Sequence, residues 1–123
     1  MKLFVADDSS IIRERIVRML ANVPHAQVVG EAADGVEALR GIPETNPDLV
    51  ILDLKMPKAG GIEILPLIKG LSTPPMVMVL TNYATQRHRE TCLKLGADYF
   101  FDKSREFEKA IEVIESLAGK ETH

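Results

Sequence analysis

Asp53 closes an apolar run that begins at Leu49, and the chain then passes at once through Lys55-Met-Pro57 to Gly60-Gly61. A run of this kind reads as a strand buried on both faces. The Pro/Gly-rich stretch forbids its simple continuation, so the carboxylate sits where the strand emerges. In open parallel sheets, ligands bind in the crevice beyond the carboxyl ends of the strands. An Asp there can act as a nucleophile and form an acyl phosphate; taken alone, it serves equally well as a cap for the turn. Other strand ends add to it. Asp7 and Asp8 follow the first apolar stretch, Thr81 the fourth and Lys103 the fifth. Three carboxylates crowded together disfavour joint ionisation, and a hard, oxygen-seeking divalent ion resolves the conflict. Mg²⁺ typically takes one or two carboxylates, keeps waters and shares its other positions with phosphate oxygens. A lysine and a hydroxyl across the same crevice are the donors a phosphoryl group needs. Each residue also has a plain reading: Asp7-Asp8 as a helix cap, Thr81 as a turn hydroxyl, Lys103 as a solvated charge. Accident is a poor explanation for all of them together.

The elements that must position these residues follow from periodicity. Residues 3–6 form a short strand, and Ser9 and Ser10 suit the N-cap of the helix after it. Ile12, Ile16, Met19, Leu20 and Val23 keep helical spacing, which leaves Arg13, Arg15 and Arg18 for solvent. Residues 27–33, less apolar and containing Gly30, predict an edge strand. Asp34 and Glu37 have capping-box spacing and open a short helix through Leu39, with Gly41, Pro43 and Pro47 bracketing the next loop. After Gly61 comes a helical pattern that Pro66 should kink or fray at its start. Residues 76–80 make the fourth strand, a more polar helix spans 85–95, and residues 98–101 make the fifth. Ser104 is placed to cap a last helix with the stripe Phe107, Ala110, Ile111, Ile114 and Leu117, before a loose tail from Gly119. Five β-α units in about 120 residues specify a parallel sheet covered on both faces.

Composition narrows the function classes. With 123 residues the chain makes one domain, long enough for a substantial core. A net charge of −3 and a pI near 5.6 argue against a nucleic-acid footprint, which is normally basic. The single cysteine, Cys92, reads as packing filler and permits no internal disulfide. No signal peptide or membrane-spanning run is present in the sequence, so a soluble, cytoplasmic protein with no membrane partner is expected. No GxGxxG follows the first strand and no GxxxxGK[ST] occurs, which argues against a nucleotide cradle.

The stretches Val5-Ala-Asp7-Asp8, Asp53-Leu-Lys-Met-Pro57 with Gly61, Leu80-Thr81, and Gly96-Ala-Asp-Tyr-Phe-Phe-Asp-Lys103 resemble a known family. It is the response-regulator receiver domains of two-component signalling, and the chain is similar to the bacterial chemotaxis receiver among them. The resemblance covers essentially the whole chain. It implies a flavodoxin-like α/β fold, a doubly wound five-stranded parallel sheet of order 2-1-3-4-5. It also implies that Asp53 accepts phosphate from a histidine kinase, a histidine phosphotransfer protein or a small phosphodonor. Asp8 and Asp53 match the family's Mg²⁺ ligands, helped by Asp7 through water and by the main-chain carbonyl of Lys55. Lys103 matches the residue that pairs with the phosphoryl group, and Thr81 the hydroxyl that moves to bond it. Phe100 stands where the family has an aromatic that swings inward, changing the face of the fourth helix, fifth strand and fifth helix for a protein target. Three residues depart from the pattern. Ser104 replaces a common Pro, so a trans bond is expected; Asn82 replaces a small residue and narrows the approach; Phe100 lacks the hydroxyl of the usual Tyr. Lys55 and Tyr83 occupy the positions that tune dephosphorylation in the family, and both are large.

The expected protein is a single receiver domain, residues 1–123, monomeric or dimerising on phosphorylation, with no catalysis beyond its own phosphotransfer and dephosphorylation. A phosphorelay intermediate is the alternative within that class. A small aspartyl-phosphate phosphohydrolase is the alternative outside it, but such enzymes carry an acid two residues after the nucleophile, where this chain has Lys55. A receiver cut from a longer DNA-binding regulator is the third reading, and the clean finish of the last helix favours the complete protein.

Overall fold

A computed structural model of the chain describes residues 1–120. Strands and helices alternate: β1 (Lys2–Ala6), α1 (Ser10–Leu20), β2 (Gln27–Ala32), α2 (Gly35–Thr45), β3 (Leu49–Leu52), α3 (Gly61–Lys69), β4 (Met76–Thr81), α4 (Gln86–Lys94), β5 (Tyr99–Asp102) and α5 (Phe107–Lys120). The strands form one parallel sheet in the order β2-β1-β3-β4-β5, with β2 at an edge as its weaker apolar character predicts. Register is what gathers the site. Ala6 pairs with Leu52 and Thr81 with Asp102, so Asp7, Asp53 and Lys103 all lie one step past the ends of their ladders.

Alternation along the strands divides the core in two. Phe4, Val50, Leu52, Val77, Val79 and Phe100 face α2, α3 and α4, where Ala38, Ile42, Ile64, Leu65, Ile68 and Cys92 are buried. Leu3, Val5, Ile51, Met78, Leu80 and Phe101 face α1 and α5, against Ile16, Leu20, Ile111 and Ile114. Cys92 is fully buried, and burial pushes its thiol above the ordinary range, in keeping with a packing role. No helix among the described residues is long and apolar enough to cross a membrane.

Five local expectations need correction. The second helix does not stop at Leu39 but runs on through Gly41 and Pro43 to Thr45. Pro43 cannot donate to the carbonyl of Leu39, yet Ala38 and Ile42 are buried on the sheet, and that packing outweighs one bond. The end is closed by Asn46, at φ 48, whose N–H reaches the Ile42 carbonyl at 2.9 Å. The third helix does not fray at its start either: the Gly60 N–H donates to the Glu63 carboxylate at 3.4 Å, and the Ile64 N–H to the Gly60 carbonyl at 3.1 Å. Pro66 thus falls mid-helix and forfeits only the bond to Ile62. Ser104 is not a helix cap, since α5 begins at Phe107. It sits in a turn, its N–H donating to the Asp102 carboxylate at 2.9 Å. Arg13 is not a free solvent group: it donates to the Asp7 carbonyl and lies 3.5 Å from Glu31. Of the expected loose tail, Gly119 and Lys120 belong to α5, and residues 121–123 lie outside the described residues.

The packing of α2 on β1 generates a stability prediction. The Phe4 ring is wedged between Gly30 and Gly41, where added Cβ atoms would come within 2.7 and 2.8 Å of it. Ala for Gly at an unobstructed helix position stabilises by about 1 kcal/mol. Here the ring has nowhere to go, so Gly41→Ala is expected to destabilise the protein by about 1–3 kcal/mol in urea unfolding. In a Phe4→Leu background the same substitution becomes neutral or stabilising.

Candidate functional site

Past the carboxyl edge of the sheet lies a cleft of about 380 Å³, lined by Asp7, Asp8, Ser9, Ile12, Asp53, Lys55, Asn82, Tyr83 and Lys103. Each acid arrives by a short, tightly held path. The Asp7 N–H bonds the Ala32 carbonyl at 3.0 Å and the Asp53 N–H bonds the Ala6 carbonyl at 3.0 Å, continuing the ladders by one rung. The Lys103 N–H does the same to the Thr81 carbonyl at 2.9 Å. Ser9 then caps α1, accepting from the Ile12 N–H at 3.2 Å, which turns the chain away just after Asp8.

Lys103 is the hub. Its ammonium donates to Asp7 Oδ2 at 2.6 Å and to Asp53 Oδ2 at 2.9 Å, and all three side chains are buried. The second oxygen of each acid is also satisfied: Asp7 Oδ1 accepts from the Ser9 N–H at 2.9 Å, and Asp53 Oδ1 from the Leu54 N–H at 2.8 Å. Burial raises the Asp7 carboxyl above its ordinary value, and the contacts with Lys103 and Ser9 recover only part of that. Burial would lower Lys103, but its hydrogen bonds to Asp7 and Asp53 outweigh it and hold the ammonium above its usual range.

Asp8 completes the acid group from the exposed side of the cleft; carboxylate oxygens of Asp7, Asp8 and Asp53 all lie within 4.8 Å of one another. The donor set is oxygen only, with no imidazole or thiolate among the lining residues. That chemistry fits Mg²⁺ and gives no purchase to softer ions. The Lys55 side chain lies across the mouth, its ammonium 5.3 Å from the centre of the Tyr83 ring, and contact with Tyr83 raises it above its ordinary value. Asn82 is tied across the same mouth by the Ser104 hydroxyl at 3.2 Å.

Thr81 is not among the residues that line the cleft. It is fully buried, and its hydroxyl accepts from the Tyr83 N–H at 3.1 Å. Alternation explains this, because Thr81 shares its face of the sheet with Val77, Val79 and Phe100, opposite to Ile51 and Phe101. Phe100 is itself turned inward, only 4% exposed. Arg89 of α4 holds it there, with the guanidinium 4.8 Å above the ring and an N–H donated to the Phe100 carbonyl at 3.1 Å. The same guanidinium lies 3.7 Å from Glu106. This seat of Arg89 on Phe100 is not legible in the sequence, because a charged residue in a polar helix looks solvated.

Comparison with known proteins places this geometry in a family. The model of the response regulator receiver domain matches residues 3–115. A transcriptional regulatory protein of Bacillus subtilis, YhcZ, is 37% identical over 120 residues, covering 98% of this chain and 56% of its own length. A protein-glutamate methylesterase/protein-glutamine glutaminase of Methanospirillum hungatei is 36% identical over 124 residues, covering 99% of this chain and 35% of its own. The chain thus spans about half or a third of these curated relatives. Among solved structures, the response regulator domain of Thermotoga maritima CheB superposes with a TM-score of 0.86 at 27% identity, covering 98% of this chain and 94% of that one. The chain belongs to the response regulator receiver domain family. The general function of that family is to accept a phosphoryl group on an aspartate in two-component signalling, and the fold is the flavodoxin-like one the resemblance implied.

Lys103 supplies a pH test of the cluster. A lysine whose folded value is raised adds stability that is fully present below 10.5 and lost as pH climbs through the folded value. Lys103→Met is expected to cost about 3–5 kcal/mol at neutral pH by leaving two buried carboxylates unpaired. Urea titrations from pH 8 to 11.5 should show that deficit shrinking at the alkaline end as wild type loses its own pairing.

Proposed function

We propose that Asp53 is the phospho-acceptor and that the cleft around it is the receiver's phosphorylation site. The observation that carries this is one ammonium shared by two buried carboxylates beside a third exposed one. In this reading Asp8 and Asp53 would hold Mg²⁺, with Asp7 and the Lys55 carbonyl assisting, and the ion would offset the negative charge of the carboxylates and the incoming phosphate. A carboxylate oxygen of Asp53 attacks the phosphorus of the donor. The bond from phosphorus to the donor's nitrogen or oxygen breaks, and its electron pair leaves with the donor. The acyl phosphate that remains takes over Lys103 from Asp53, and Lys103 keeps Asp7 as its second partner.

The donor is a histidine kinase or a histidine phosphotransfer protein, and the setting is cytoplasmic. Loss of the Lys103–Asp53 pairing and recruitment of the Thr81 hydroxyl to the phosphoryl group would disturb the turn that Thr81 holds through the Tyr83 N–H. That turn precedes α4, whose Arg89 rests on Phe100, so the face of α4, β5 and α5 is the surface a protein target reads. Because Phe100 is already inside, its response is a change in packing rather than an exchange of hydrogen bonds. Beyond taking a phosphoryl group from its donor and losing it again, the chain catalyses no reaction in this reading. Its curated relatives carry the same stretch within longer proteins named as a transcriptional regulator and methylesterases, and an effector of either kind would be governed through the same face. Lys55 and Tyr83, stacked across the mouth, shield the acyl phosphate from water.

Incubation with acetyl phosphate and Mg²⁺ is expected to add one phosphoryl group, about 80 Da by intact mass. Asp53→Asn should add none; a full gain in that variant would sink the assignment. Addition of a phosphotransfer protein distinguishes a relay from an output module: a relay loses its label to that protein, whereas an output module keeps it. The double variant Lys55→Asn/Tyr83→Ala should lose its phosphate about tenfold faster than wild type, a barrier difference of about 1.4 kcal/mol. An unchanged half-life would remove the shielding role.

A further inference from the structure

The segment from Asp53 to Gly61 carries the proposed acceptor and the Lys55 carbonyl, and its tip is fastened to a different element, the start of α2. Two polar contacts make the fastening, and a third bond inside the loop shapes its tip. The Gly35 N–H, one of the first-turn donors of α2 with no partner inside its helix, donates to the Pro57 carbonyl at 3.3 Å. The same carbonyl accepts from the Ala59 N–H at 2.7 Å, closing a tight turn around Lys58. Asp34 works in both directions: one carboxylate oxygen accepts from the Glu37 N–H at 2.8 Å and caps α2, and the other lies 3.4 Å from the Lys58 ammonium. The cap hydrogen bond from Glu37 and the contact with Lys58 hold the Asp34 carboxyl below its ordinary value.

The turn so held is not relaxed. Lys58 sits at φ 69, a left-handed conformation that costs a non-glycine residue energy and persists only where surroundings enforce it. The enforcement is steric as well as polar. A Cβ on Gly35 would stand 2.1 Å from the Ala59 carbonyl oxygen and 2.6 Å from the Ala59 Cβ. The loop tip therefore rests directly on the Gly35 Cα, and any side chain there must push it away. Lys55 is three residues from Lys58. At its far end the loop runs straight into α3, closed by the Gly61 N–H on the Leu54 carbonyl at 2.8 Å and by the Gly60 contacts with Glu63 and Ile64.

From this geometry we infer that Asp34 and Gly35 are positioning residues for the phosphorylation site, setting its affinity for a divalent cation by fixing the Asp53–Gly61 loop from outside. The inference rests on the proposed role of Asp53 and the Lys55 carbonyl in holding that cation. Neither Asp34 nor Gly35 lines the cleft, so their effect reaches it through the loop they hold. The helix they begin serves as an anchor, and only a residue without a side chain admits the loop at this distance.

The test is Mg²⁺ titration of the full chain by calorimetry, with amide hydrogen exchange at Ala59 measured in its absence. Wild type, Gly35→Ala and Gly41→Ala are compared, the last straining the same helix at its other end. Gly35→Ala is expected to weaken Mg²⁺ binding at least tenfold and to speed exchange at Ala59. Gly41→Ala should lose stability but leave Mg²⁺ affinity within twofold of wild type. Equal weakening in the two variants, or none in Gly35→Ala, overturns the inference while the cation site itself stands. A wild type that binds no Mg²⁺ removes the cation site, and this inference with it. If Gly35→Ala does not fold, Asp34→Asn carries the test, because it keeps an oxygen to cap α2 and loses the charge that pairs with Lys58. Exchange at Ala59 at least threefold faster in that variant supports the clamp, and unchanged exchange refutes it.

Discussion

One ammonium held between two buried carboxylates is the constraint on which the carboxyl edge of this sheet depends. Asp7 and Asp53 come from neighbouring strands in register, and the Lys103 ammonium between them offsets the cost of burying two carboxyl groups side by side. Lys103 reaches them from β5, on the far side of β4. The sheet order is therefore an electrostatic requirement of the site as much as a packing result. Asp8 adds one more negative charge at the surface of the group. The cluster is left with more acid than base, which is the state a divalent ion and a phosphoryl group can complete.

The two faces of the sheet divide the labour. Asp7, Asp53 and Lys103 continue the alternation of Val5, Ile51 and Phe101, on the side of α1 and α5. Thr81 and Phe100 belong to the other face, against α3 and α4. The link between them is backbone, the Lys103 N–H on the Thr81 carbonyl. A hydroxyl that is already an acceptor for the Tyr83 N–H, rather than a lining group of the cleft, gives the two faces separate hydrogen-bond networks in this state.

Much of this was readable in the sequence. Apolar runs ending in Asp7-Asp8, Asp53, Thr81 and Lys103 gave the strands, their parallel arrangement and the cluster. The edge position of β2 followed from Gly30 and its thinner apolar pattern. What could not be read were features in which tertiary contact overrules local rules. Pro43 and Pro66 look like breaks, yet Ile42, Ile64 and Ile68 bury enough surface to carry their helices through. Ser104 resembles a cap, but Asp102 claims its N–H, and α5 starts three residues later. The orientation of Thr81 away from the cleft, the seat of Arg89 on Phe100 and the grip of Gly35 on Ala59 all join residues from different elements. No local pattern encodes them.

The claim that most needs a direct measurement is that excess negative charge at the carboxyl edge is what a divalent cation relieves. Thermal unfolding of wild type with and without Mg²⁺, beside the Asp8→Asn/Asp53→Asn double variant, addresses it without any phosphodonor. Ligand that binds only the folded state raises its stability by RT ln(1 + L/Kd), where L is the free ligand concentration. The account predicts a melting temperature that rises with Mg²⁺ in wild type and does not move in the double variant. A wild type indifferent to Mg²⁺, or a double variant stabilised as strongly, would contradict it.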